Sequence, residues 1–315
     1  IEMERTNFIK NFALGYELQI SAKFLYDGLR DLNCINKYND IENIFGFLYK
    51  TSVGIERLQK IAYILLKNPN QDEYKQIEEE ILTHSTVKLQ SELIKLTSIQ
   101  LNAPQIAFLS LLSKFYKSCR YDRFNFDTTL HKERTLFIRF IESNLNKKIV
   151  LDEPFVDFVT DKERDFFGRI IKGISEKYYE IIYEQATKLN LYTYEIDSSS
   201  KGIKIFFNEN ERRGLQSQII DEQIAFKELL IYLINTNDKN PFIKYLKSIK
   251  PLNIDPELIQ DYLVDILKGE VPQDLIEELE ELYSENSIKC NERIEELFCI
   301  GSIHCYFDSE EIDSI

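Results

Sequence analysis

The chain has 315 residues, 43% of them hydrophobic and 29% charged, a globular composition large enough for one large or two medium domains with a proper core. Its ten glycines and seven prolines are too few for the turns of a loop-rich all-β fold, and no apolar run approaches the roughly 18 residues of a membrane span. The net charge of −14 is uneven: residues 251–315 hold 3 Lys and Arg against 18 Asp and Glu, whereas residues 101–150 hold 9 against 4, so an acidic end faces a basic middle.

Residues 1–5 carry acids and do not resemble a secretion leader. Residues 7–31 read as a helix, with Leu18, Ala22, Leu25 and Leu29 in one stripe. A second runs over 41–67 through Ile44, Leu48, Ile55, Leu58, Ala62 and Leu65, and Asn68-Pro69-Asn70 ends it. Shorter helices are expected at 72–83 and 86–100. Ser85 or Thr86 is the natural cap of the latter, which leaves His84 a structural place ahead of it. The segment 104–120 is apolar on most faces, as a central helix would be, and 128–146 follows it. Antiparallel helices on short links predict a bundle over 1–148.

Residues 149–159 read as extended or irregular and 162–189 as a long helix. The runs 191–196 and 203–207 are rich in Tyr, Ile and Phe and flank the cluster Asp197-Ser198-Ser199-Ser200-Lys201-Gly202, which predicts a β-hairpin over 191–207 in a helical region 149–250. Helices return at 217–236, 240–248, 255–268, 273–286 and 289–299, the last three in an acidic segment 251–315 jointed at Pro251, Pro256 and Pro272. The expected fold is mainly α, without an internal repeat.

The five cysteines lack regular spacing and read as reduced thiols, which places the protein in the cytoplasm. Cys290, Cys299, His304 and Cys305 are the sharpest metal alternative, but eight residues separate the first two thiols where a metal knuckle wants two to four. Phosphate loops, dinucleotide fingerprints, zinc helices and nucleophile elbows are all absent from the sequence, so no cofactor or metal is expected.

Residues 7–125 carry a resemblance. Tyr16 to Leu25 lies on the first helix. Gly54-Ile55-Glu56-Arg57-Leu58-Gln59-Lys60 on the second places a Glu and a Lys four apart. His84 then precedes a Leu-spaced helix, and Arg120-Tyr121 lies near a helix end. This order resembles the HEPN domains of prokaryotic toxin and phage-defence proteins. The resemblance implies RNA cleavage, dimerisation, or a part in an antiviral-defence or toxin–antitoxin system. Active members carry an Arg followed four to six residues later by a His. Here Arg120 has no such His, and Arg123 precedes His131 by eight positions.

Arg120, Arg123 and His131 are the candidate catalytic residues, with Arg as phosphate binder and His as acid or base. Lys114, Lys117, Lys132, Arg134 and Tyr121 are the candidate RNA-binding residues, cations interleaved with aromatics that can stack on bases. Two readings stay open. One is an RNA-directed defence or toxin component gated by the acidic end. The other is a non-catalytic subunit that docks a partner protein, one of the same operon, through that end. A homo-oligomer is expected in either.

Overall fold

The computed structural model describes residues 5–126, 131–151, 155–207, 214–285, 290–302 and 305. They form two compact units, Ile1–Ile220 and Asp221–Ile315. The sequence-based boundaries stood at 148 and 250.

The first unit opens with α1 (Arg5–Phe8), a π-helical turn Ile9–Ala13 and α2 (Leu14–Cys34). α3 (Ile41–Lys67) comes next, capped by the Asp40 carboxylate on the Asn43 N–H and ended by Asn68 in the left-handed conformation, φ 42°. α2 and α3 pack closely where glycines permit it. A Cβ on Gly54 would lie 2.8 Å from the Leu25 side chain and 3.1 Å from the Ser21 carbonyl oxygen. The Ser21 hydroxyl donates to the Gly54 carbonyl at 2.7 Å across the same contact.

Around α3 are α4 (Tyr74–Glu80), α5 (Thr86–Leu96), α6 (Ala103–Ser118), a 3₁₀ turn Asp122–Phe124, α7 (Lys132–Leu145) and α8 (Asp161–Lys188). α3 itself packs against α2, α5, α6, α7 and α8. Its Phe47 meets Phe108, Phe137 and Phe167 from α6, α7 and α8, with ring centroids 6.3, 6.1 and 5.2 Å away. All four rings are fully buried. Aromatic pairs of this kind contribute about 0.5–1.5 kcal/mol beyond their burial.

The expected hairpin over 191–207 is corrected. The described residues hold no strand, and their one β-bridge, Lys37 with Phe158, lies elsewhere. The Tyr192 N–H donates to Asn11 Oδ1 at 2.8 Å, the Thr193 hydroxyl donates to the Lys10 carbonyl, and the Tyr194 carbonyl accepts from the Tyr179 hydroxyl. The first run is thereby tied to the chain start and α8, not to the second run. That second run becomes the short helix α9 (Gly202–Phe206), whose Phe206 stacks on Tyr179 at 4.8 Å. β-prone side chains found helical burial sites, because their preference is for a packed surface more than for a backbone shape.

α10 (Gln216–Asn235) leads into α11 (Pro241–Ser248), α12 (Ile259–Lys268), α13 (Gln273–Glu285) and α14 (Cys290–Leu297). In the second unit Tyr262 and Glu278 join α12 to α13 through a 2.7 Å hydrogen bond, and the Arg293 guanidinium donates to the Lys250 carbonyl. Cys299 and Cys305 form a disulfide, with Cα atoms 5.4 Å apart, which corrects the expectation of reduced thiols for that pair. Cys34 and Cys119 keep their thiols; the Cys290 side chain and His304 lie outside what is described. Among the described residues no helix is long and apolar enough to cross a membrane.

The entry into α8 rests on a buried carboxylate. Glu163 accepts from the Lys147 ammonium at 2.6 Å and from the Thr160 N–H and hydroxyl at 2.5 and 2.8 Å. Burial opposes its ionisation, but these donors outweigh burial and hold the carboxyl below its ordinary 4.5. A depressed carboxyl stabilises the fold fully above the unfolded value and loses that contribution as pH falls through the folded one. Wild type should therefore melt well above Glu163→Gln at pH 7, and thermal scans should show the gap closing below pH ~4.

Candidate functional site

Four stretches far apart in sequence converge beside the half-buried face of α3 that carries Glu56 and Lys60. α3 supplies Glu56, Arg57 and Lys60. Glu56 and Lys60, four apart, share a face and pair at 2.7 Å. The buried stripe of Ile55, Leu58 and Ala62 holds this face at the edge of the core.

The start of α5 places His84. Ser85 caps α5, its hydroxyl accepting from the Lys88 N–H and lying 3.0 Å from the Ser113 hydroxyl on α6. The Thr86 hydroxyl donates to the Leu109 carbonyl at 2.8 Å, and Gln59 Nε2 donates to the Thr86 carbonyl at 2.9 Å. These bonds tie the first turn of α5 to both α6 and α3. His84, one residue before the cap, sets its Nδ1 3.2 Å from both Glu56 carboxylate oxygens. The imidazole is 59% exposed and the carboxylate only 9%, an accessible ring backed by a buried anion.

α6 contributes Tyr116, whose ring centre lies 4.8 Å from that of His84. Beyond the end of α6, Arg120 donates to the Tyr116 hydroxyl at 2.6 Å. Its guanidinium lies over the rings of Tyr121, Tyr116 and Tyr49 at 4.6, 4.7 and 5.8 Å. Tyr49 and Tyr116 lie parallel, 6.3 Å apart. Burial pushes the Tyr116 hydroxyl above its ordinary pKa, partly opposed by Arg120, so it stays protonated at neutral pH.

Glu17, Phe24, Val53, Glu56, Lys60, His84 and Tyr116 are among the walls of one cavity of about 450 Å³. Arg57, also in its wall, pairs with Glu17 and lies over the Phe24 ring at 5.7 Å. The walls combine apolar side chains with an oriented imidazole and two ion pairs, Glu17 with Arg57 and Glu56 with Lys60. Among the described residues no group of three or more His, Cys, Asp or Glu is placed to hold a metal ion.

Of the residues singled out in the sequence, Arg120 belongs to this cluster and Tyr121 stacks on it. Lys114 and Lys117 are exposed on α6. Lys132 pairs with Asp122 at 2.7 Å. His131 lies just before α7 with φ 65°, its carbonyl accepting from the Thr135 hydroxyl. Its Nδ1, like Arg134 Nε, is buried without a hydrogen bond. No hydrogen bond, ion pair or ring contact among the described residues joins His131 to Arg120. The backbone of Arg123 lies in the 3₁₀ turn, and its side chain is outside what is described.

His84, read from the sequence as structural, pairs with Glu56 and also lines the cavity with Glu56 and Lys60. The available signal was the Glu-x-x-x-Lys spacing on a helix too apolar to lie on the surface, and a His directly before a capping Ser. No family model, curated protein or solved structure matches the chain.

Ser85→Ala removes the cap that fixes His84. It should lower stability by about 1 kcal/mol in urea unfolding, and should broaden the His84 ring signals in NMR spectra. A variant as stable as wild type would show that the Thr86 bonds to α6 and α3 suffice to set this segment.

Proposed function

We propose that the chain acts on RNA, cleaving the phosphodiester backbone at the cavity beside His84. The observation that carries this reading is the convergence of an accessible imidazole, the buried Glu56 behind it, and the cations Lys60 and Arg120. The resemblance of residues 7–125 to HEPN domains supports the same class and suggests a defence or toxin setting, with a homodimer as the working form.

With the proton on Nδ1 donated to Glu56, Nε2 of His84 is free to act as a base. It takes the proton of a ribose 2′-hydroxyl, whose oxygen attacks the adjacent phosphorus. The bond from phosphorus to the 5′-oxygen breaks, leaving a 2′,3′-cyclic phosphate. The departing oxygen takes a proton, for which the Lys60 ammonium is the proposed donor. Arg120 offsets the charge that develops on the phosphoryl oxygens. The arrangement replaces the Arg-then-His helix of active HEPN members with a His from a different segment.

End-labelled RNA and DNA of one sequence, incubated with the full chain, test the reading. RNA should be cut to cyclic-phosphate ends and DNA left intact. His84→Gln and Arg120→Ala should each slow cutting by about 100-fold or more while both variants stay folded by circular dichroism at the assay temperature. Full activity in His84→Gln, or equal cutting of DNA, would sink it.

One observation favours a second reading, a partner-docking subunit. Residues 221–315 carry 22 acids to 8 bases, and Ile224, Leu229, Ile231 and Ile234 of α10 are exposed in the same unit. A basic protein with an apolar face would suit that surface. On this reading, a protein encoded beside the chain co-purifies with wild type and is lost from Ile231→Asp; co-purification indifferent to the substitution counts against it.

A further inference from the structure

We propose that the stretch following α6 is a stacking platform for unpaired bases, which makes the site selective for single-stranded over duplex RNA. This rests on the reading of the cavity as an RNA-directed site, and names the form of RNA it takes.

Within six residues the chain exposes three aromatic rings: Tyr121 at 61%, Phe124 at 86% and Phe126 fully. Exposing such rings to water has a cost, and a protein carries them together where a ligand covers them. They are linked to the cavity wall by a chain of contacts: Tyr121 lies 4.6 Å from the Arg120 guanidinium, which lies 4.7 Å from the Tyr116 ring, and Tyr116 lines the cavity beside His84. A base laid on the exposed Tyr121 ring would extend that chain toward solvent.

Charge sets the occupant. Lys114 and Lys117 are exposed on the last two turns of α6, and residues 101–150 hold 9 Lys and Arg to 4 Asp and Glu. Exposed cations and exposed rings within one short stretch of chain suit a polyanion whose flat groups can splay out. In an A-form duplex the bases are stacked on each other and beyond the reach of such rings, so only an unpaired strand can use them. Stacking reads the face of a base and not its edge, so the platform accepts many sequences.

Binding is measured by fluorescence anisotropy with the full-length His84→Gln variant, which keeps strands uncut, and labelled oligouridylate or duplex RNA of about 12 nucleotides. The single strand should bind tenfold or more tightly than the duplex. Adding Tyr121→Ala, Phe124→Ala and Phe126→Ala should weaken single-strand binding tenfold or more, and the aromatic exchange Tyr121→Phe, Phe124→Tyr and Phe126→Tyr should restore it, with all variants melting alike. Equal binding of duplex and single strand overturns the inference, as does an alanine variant that binds like its parent, or no binding of RNA at all. If binding depends on the rings while wild type cuts nothing, the cleavage reading fails and the platform stands. If wild type cuts RNA but the rings do not matter, the platform alone fails.

Discussion

α3 is buried almost all round between residues 51 and 65, and a helix in that position depends on partners inside the protein for the polar side chains it carries, although the Thr51 hydroxyl and Gln59 Oε1 are left without one. Three of its residues raise that demand. The Ser52 hydroxyl turns back to the Leu48 carbonyl at 2.6 Å. Gln59 reaches the Thr86 carbonyl and the Tyr178 hydroxyl, which in turn donates to Gln90. Glu56 draws in Lys60 and His84. Satisfying these groups sets where α5 and α8 can lie, because their polar partners have to meet α3 at one height.

The candidate site arises from the same constraint. A carboxylate at the edge of a core needs partners, and those here are a lysine one turn away and an imidazole from a loop. The imidazole is exposed on its other side because the loop that carries it lies at the surface. A core requirement has thus placed an oriented, accessible imidazole beside a cavity. Arg120 arrives independently, from the end of α6, and its guanidinium is held by tyrosines, within 4.6 and 4.7 Å of the Tyr121 and Tyr116 ring centres and donating to the Tyr116 hydroxyl.

The two units contrast in charge. Residues 1–220 hold 31 bases and 31 acids, so the whole net charge of −14 belongs to residues 221–315. An acidic unit on the same chain repels phosphate over distances of about a Debye length, ~8 Å at physiological salt.

Much of the helical fold was legible in order and extent, because its signals are local: the stripe on α3, the Asn68-Pro69 stop, the Ser85 cap and the acidic final helices each act over one or two turns. The hairpin was misread for the same reason. Tyr and Ile in short runs signal strands only if a second strand is at hand, and Asn11, Lys10 and Tyr179 offered the backbone other partners. The site was legible in its members and not in its grouping. Glu56, Lys60, His84 and Arg120 stood out as residues, with His84 read as structural and His131 as a candidate acid or base, and nothing local to either showed that His84 meets Glu56. The sequence by itself determined which helices form, since that depends on residues three and four apart. Only the tertiary structure decided which histidine faces a carboxylate, since that depends on how segments separated by 28 residues pack.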